Sequence, residues 1–425
     1  MSIATTVLGA ADSLAGMIGV LDRPLASAPL LAKARRRTGF EDLDEAAIIE
    51  PLERLLAACR QEASLSLVGR AALRWDTVRL LSNLLRLRAE EAMHPEILAQ
   101  PIDKPIFITG LPRSGTTFLH RLMMEDPATR APRVFQAIYP YPDATGPDRR
   151  ERHVNRQLRA FERLAPAFRS LHPLDASSPQ ECCEITAHVF RSLRFDTTYQ
   201  IPSYRNWLDE TGHLAGYLFH RRFLQHLQHQ EGAGRWVLKC PDHLFALREL
   251  RVAYPDARVV FVHRDPVKVL LSLTELTEVL RRPFTRRIDP GRIGHEESAR
   301  WYDGTLRMIQ ADAEAPFAEP ICHVHYLDLI TDPVSTVENV YAHFGLTLAP
   351  EAATRMASLV AERPNGGYGQ HSYRFEDHGL DAGSERDRFR AYMIQFGIEP
   401  EAARPARLPR AALFRPLPSA STGAR

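Results

Sequence analysis

Pro105-Ile106-Phe107-Ile108-Thr109-Gly110-Leu111-Pro112-Arg113-Ser114-Gly115-Thr116-Thr117 is the stretch on which the fold turns. A short apolar run ends at a glycine, a tight loop follows, and a helical segment opens at Thr116 and continues to Glu125. A strand feeding a helix through such a loop aims backbone N–H groups and the positive end of the helix dipole at an anion. The spacing fits the phosphate-loop pattern GxxxxGK(S/T), except that Thr116 stands in the lysine position. That lysine reaches β- and γ-phosphates, so its absence argues against ATP or GTP hydrolysis. The loop instead suits a single phosphate. Arg113 offers charge to the group beyond it, and Thr117 bonds a phosphate oxygen without magnesium. A glycine-containing turn with no ligand is the bland alternative.

Downstream, three more short apolar runs end in polar residues. Trp236–Leu238 ends at Lys239, Arg258–Val262 at His263 and Arg264, and Ile321–His325 at Tyr326. Helical stretches follow each of them, at 242–253, 266–280 and 331–344. Strands alternating with helices predict an α/β fold, a phosphate-loop-like parallel sheet flanked by helices. Ligands in such sheets bind beyond the carboxyl ends of the strands, where these polar residues fall.

Upstream, residues 42–97 read as helices, with Trp75, Val78, Leu81 and Leu85 recurring at 3-3-4 spacing. The expected organisation is a helical N-terminal extension over 1–100 and one domain over 101–400. Within that domain, 128–232 reads as a helical insertion on the acceptor side, and 401–425 as a disordered tail. The apolar segment 2–20 carries Asp12 and lacks a basic start, so it reads as a docked helix rather than a secretion signal.

A second anion site is expected where Arg264-Asp265-Pro266 closes a strand, with Ser272 about two helical turns on. An Arg–Ser pair there suits another phosphate; a structural ion pair between Arg264 and Asp265 is the alternative. Two phosphate sites flanking one nucleoside point to a 3′,5′-bisphosphate.

At 425 residues, with 44% hydrophobic and 25% charged residues, the composition is that of a soluble globular protein. A formal net charge of +2 gives no general reason to expect a nucleic-acid or membrane partner. Five cysteines without a CxxC pair suit reduced thiols in a cytoplasmic protein.

The segments GLPRSGTTFLH, RWVLKCPDHL and YPDARVVFVHRDPVKVLLSL resemble the sulfotransferase superfamily, particularly bacterial members related to tyrosylprotein sulfotransferases. The resemblance runs from about residue 40 to 396. It implies 3′-phosphoadenosine-5′-phosphosulfate (PAPS) as co-substrate, with no metal. Arg113, Ser114, Gly115, Thr116 and Thr117 would bind its 5′-phosphosulfate, Arg264 and Ser272 its 3′-phosphate. Tyr326 would lie near the adenine, and the segment bearing Gly366 and Gly367 would close over the nucleotide; an ordinary surface loop is the alternative there.

Sulfuryl transfer resembles phosphoryl transfer in placing negative charge on the leaving oxygen, so cations belong there. Lys239 and Arg113 are the expected catalytic cations. The acceptor hydroxyl also needs a base. Related proteins often carry Glu where this chain has Gln136, and cytosolic small-molecule sulfotransferases carry His where this chain has Pro241. His243 and Glu181 remain as candidates.

For the acceptor, Phe190, Phe195, Tyr199, Tyr204 and Trp207 offer apolar area, with core packing as the plainer reading. The basic amphipathic stretch 152–169, broken at Pro166, suits either a lid with a solvated face or a peripheral membrane contact. A hydrophobic small molecule, lipid or glycan fits; a homodimer stays open. The competing readings are a nucleotide kinase-like enzyme and a nucleotide-binding protein with its catalytic base lost.

Overall fold

In the computed structural model, residues 25–143, 146–171, 173–314, 317–362 and 374–401 are described. The chain enters through three helices: α1 (Ser27–Thr38), α2 (Glu45–Gln61) and α3 (Leu67–Met93). The side chain of Ser66 caps α3 by accepting from Gly69 N at 3.0 Å. Sequence periodicity puts Trp75 on the buried stripe of α3, yet it is 44% exposed, while Asp76 and Arg79 on the same helix are buried.

Their burial is compensated by a four-residue ion network. Arg79 Nη2 donates to Asp76 Oδ1 and Glu184 Oε1, both at 2.6 Å, and Arg194 Nη2 donates to Asp76 Oδ2 at 2.7 Å. Two cations facing two carboxylates bury no net charge. The network ties α3 to the segment that carries Glu181.

Five parallel strands form the sheet: β1 (Ile106–Gly110), β2 (Thr129–Arg130), β3 (Arg235–Lys239), β4 (Arg258–His263) and β5 (Cys322–His325). Their order is β2-β3-β1-β4-β5. Four match the expected runs. The edge strand β2 is an addition, two residues long, at the start of the stretch expected to be mostly helical. Successive residues of β1 point to opposite faces. Phe107 joins one core with Leu238 and Phe261, while Ile106 and Ile108 join a second core with Val237 and Val260. Both faces are covered by helices, as a parallel sheet requires.

The remaining helices include α4 (Thr116–Met123), α5 (Val134–Ile138), α6 (Arg150–Leu164), α7 (Cys182–Thr186), α8 (Leu214–Glu231), α9 (Leu247–Ala253), α10 (Pro266–Arg281), α11 (Pro290–Glu314), α12 (Tyr326–Thr331) and α13 (Pro333–His343). The basic helix α6 stops at Leu164, two residues before Pro166, and its arginines 152, 156, 159 and 163 are exposed. Among the described residues no helix is long and apolar enough to cross a membrane. The aromatic residues Phe190, Phe195, Tyr199, Tyr204 and Trp207 are buried core rather than the wall of an acceptor cleft.

After β1 the chain lays down β2 and β3 on one side, then crosses to β4 and β5 on the other, so the winding reverses beside β1. The crevice beyond its carboxyl end is where this topology places a ligand.

Candidate active site

Gly110 ends β1 at φ 145°, and a Cβ there would lie 2.3 Å from the carbonyl oxygen of Val262 on β4. No other residue fits that approach. The loop then turns through positive φ at Arg113 (64°) and Gly115 (97°) before α4 begins. Such alternation curls successive N–H groups toward one point. Gly115 is pressed against the first residue of α12: a Cβ would meet the Tyr326 ring at 3.0 Å. Ser114 is fully buried, and its hydroxyl has no hydrogen-bond partner among the described residues. An orphaned hydroxyl inside an anion-shaped loop fits a bound phosphate oxygen.

Register brings the lysine to this loop. Ile108 of β1 pairs with Lys239 of β3, so Lys239 emerges beside Thr117. Its Nζ donates to Thr117 Oγ1 at 3.1 Å and forms an ion pair with the carboxylate of Glu181, which precedes α7. Lys239 is only 2% exposed. A buried ammonium holding both the loop threonine and a carboxylate is a group set for anion chemistry rather than a solvated surface charge.

The residues expected at the second anion site meet at Arg113. Its Nε donates to Ser272 Oγ at 3.0 Å and its Nη1 to the carbonyl of Leu171 at 2.8 Å. Ser272, expected beside Arg264 at the start of its helix, instead contacts Arg113 of the loop. The guanidinium of Arg264 lies 3.8 Å from the ring centroid of Tyr326 and donates to the Arg113 carbonyl at 2.7 Å. Arg264 makes no ion pair with Asp265. Asp265 caps α10 at Val267 N and accepts from Glu401 N at 2.8 Å. Glu401 itself holds Arg264. A cavity of about 300 Å³, lined by Arg264, His325, Tyr326 and Ile398 among others, opens on this side.

The two base candidates separate. Glu181 touches Lys239 directly. His243 is 1% exposed, hydrogen-bonded through Nδ1 to Tyr217 and edge-on to Phe107 in the core. Burial, aided by His220 and Lys239, holds its pKa well below the usual histidine range. Gln136 accepts from Arg133 N at 2.9 Å and donates to Glu231, so it caps α5 and ties it to the end of α8. Gly366 and Gly367 lie outside the described residues.

Some residues at the site were not singled out from the sequence: Glu401, the carbonyl of Leu171, Asp242, Cys183 and Cys240. Burial pushes the Asp242 carboxyl up to about 6, with Arg300 opposing and Glu181 reinforcing the shift. Glu181, Cys183 and Cys240 bring their ligand atoms within 4.8 Å of one another. Only Glu181 and Cys183 are close in sequence, so spacing could not reveal this group.

A model of the sulfotransferase family matches residues 105–350, more than half of the chain and spanning both anion sites. The chain belongs to that family. Sulfotransferase STF1 of Mycobacterium tuberculosis H37Rv superposes with a TM-score of 0.76 at 31% identity, over 86% of this chain and 99% of that one. Sulfotransferase STF9 of Mycobacterium avium gives 0.79 at 26% identity, over 88% and 97%. The omega-hydroxy-beta-dihydromenaquinone-9 sulfotransferases Stf3 of Mycobacterium bovis and Mycobacterium tuberculosis are 26% identical over 260 residues. That match spans 57% of this chain and 63% of those curated relatives, less than two thirds of their length. For this sulfotransferase-family chain the kinase-like reading is left without support.

Proposed function

We propose that this protein transfers a sulfuryl group from PAPS to a hydroxyl of a hydrophobic small molecule or lipid. The observation that carries the proposal is the double contact of Lys239, with Thr117 of the phosphate loop on one side and Glu181 on the other. The loop from Ser114 to Thr117 would hold the 5′-phosphate, with Arg113 and Lys239 facing the sulfuryl group. Arg264, supported by the Tyr326 ring, would take the 3′-phosphate, and the cavity beside it would take the nucleoside.

In the reaction the acceptor oxygen attacks sulfur in line with the departing phosphate oxygen. One S–O bond forms as the bridging S–O bond breaks, and the bisphosphate leaves. Lys239 stabilises charge growing on the bridging oxygen, where a preorganised cation in a dry site has most effect. Glu181 receives the hydroxyl proton; His243 is anchored in the core by Tyr217, which leaves Glu181 as the base the geometry favours. A hydrophobic acceptor is supported by the omega-hydroxy-beta-dihydromenaquinone-9 for which the Stf3 relatives are named and by α6, an exposed basic amphipathic helix.

Calorimetry with 3′-phosphoadenosine-5′-phosphate and with ATP tests the donor class. The bisphosphate should bind without magnesium and at least about ten-fold more tightly than ATP, a difference of roughly 1.4 kcal/mol. Equal affinities, or a magnesium requirement, would exclude the proposal.

A further inference from the structure

Beside Lys239 the fold assembles two thiols and a carboxylate that the transfer reaction does not need as a set. Cys183 lies in the first turn of α7, two residues after Glu181, and Cys240 follows β3 directly after Lys239. Cys183 Sγ approaches Glu181 Oε2 at 3.8 Å, and Cys183 Sγ, Cys240 Sγ and a Glu181 carboxylate oxygen lie within 4.8 Å of one another. The adjoining cavity is about 20 Å³, which is room for a single water-sized guest. Its lining includes both cysteines, Asp242 and His243.

We infer that Glu181, Cys183 and Cys240 form a binding site for one thiophilic divalent cation of the zinc class, and that its occupation inhibits transfer. Two sulfurs and one carboxylate oxygen are a donor set such a cation takes, with water completing four-coordination. Charge balances without a new buried ion. The cation brings two positive charges, and the two thiols release two protons to solvent as they become thiolates. The local sum therefore equals that of the metal-free site, where Glu181 is already matched by Lys239. Inhibition follows because the ligated carboxylate no longer accepts a proton from the acceptor. That half of the inference rests on Glu181 being the base; the binding half does not.

Cobalt(II) added to the metal-free full-length protein under argon reads the site directly through its thiolate charge-transfer absorption. The expected result is one cobalt per chain with that band. Affinity should fall at least ten-fold in Cys183→Ser and in Cys240→Ser and stay unchanged in Cys59→Ala, whose site is elsewhere in the core. Circular dichroism of each variant checks folding, and Cys183→Ala supplies a second substitution at the half-buried position. Cobalt should inhibit transfer with the midpoint of its own band and zinc at lower concentration, both reversed by a chelator, and Cys183→Ser should need at least ten-fold more of either metal. No band, a band that survives both serine variants, or a Cys183–Cys240 disulfide that consumes the thiols would overturn the site. A thiolate band with unimpaired transfer would overturn the inhibition and leave the binding site standing.

Discussion

The guanidinium of Arg264 is held by the carboxylate of Glu401 at two points, 2.8 and 3.0 Å, while its face rests on Tyr326. Glu401 therefore presents two oxygens to the arginine that would otherwise receive the donor's 3′-phosphate. A bidentate carboxylate is the nearest protein equivalent of that phosphate, so a 3′-phosphate bound by Arg264 would displace this pair. Glu401→Gln should tighten the bisphosphate by up to about five-fold, the range expected from losing one partly exposed ion pair worth about 0.2–1 kcal/mol. Calorimetry with the two proteins checks this; unchanged affinity would mean that Glu401 lies outside the donor's path.

Arg264→Ala should act selectively. Loss of a charge-assisted contact costs about 1.5–3 kcal/mol in bisphosphate affinity. Adenosine 5′-phosphosulfate lacks the 3′-phosphate and should bind nearly as before. A comparable loss for both ligands would make Arg264 a structural residue that supports the loop through the Arg113 carbonyl.

Lys239→Ala and Glu181→Gln separate two roles within one ion pair. If Lys239 stabilises charge that develops only in the transition state, its removal should lower kcat on the order of 10²-fold or more, with a smaller change in donor affinity. Glu181→Gln keeps size while removing proton-accepting power. It should lower kcat strongly and flatten the acidic limb of the pH–rate profile, whereas His243→Gln should do neither. Near-normal turnover in Glu181→Gln would reject it as the base.

The buried Asp76 network gives a stability prediction with a defined pH window. Burial alone would raise the Asp76 pKa, but Arg194 and Arg79 more than offset it and bring it to about 2. An unfolded aspartate titrates near 3.9, so between those values the unfolded chain binds more protons. The Asp76 contribution is thus fully present above about pH 4 and is lost as pH falls toward 2, a change of about 2–3 kcal/mol. Asp76→Asn leaves the two arginines facing Glu184 alone and should cost about 3–5 kcal/mol near neutrality. Denaturant melts across pH check both: the variant should be less stable at pH 7 and less sensitive to acid below pH 4.

The four longer strands were legible because each is a short apolar run ending in a polar residue, and buried parallel strands require that composition. The two-residue β2 carries no such pattern; its place is set by pairing Thr129 with Arg235 and Arg130 with Trp236. Trp75 defeated the periodicity because α3 buries Asp76 and Arg79 through ion pairing, which an apolar stripe cannot encode. At the site, the loop, Lys239 and Arg264 lie at strand ends and so could be found from local sequence. Glu401 reaches Arg264 across 137 positions, and Cys240 reaches Cys183 across 57, so both meetings depend on the sheet order. Gln136 raised doubt about catalysis from sequence alone; its capping of α5 shows what the residue does instead.

The central claim is sulfuryl transfer to a hydrophobic hydroxyl, and one labelling measurement addresses it directly. Purified protein is incubated with ³⁵S-labelled PAPS and a bacterial lipid extract containing hydroxylated prenyl quinones, then partitioned into organic solvent. The account predicts label in a solvent-extractable sulfate ester, formed with stoichiometric bisphosphate release, present with the wild-type protein and abolished or nearly so in Lys239→Ala. Tight PAPS binding with no label transferred to that fraction, or equal transfer by Lys239→Ala, would contradict it.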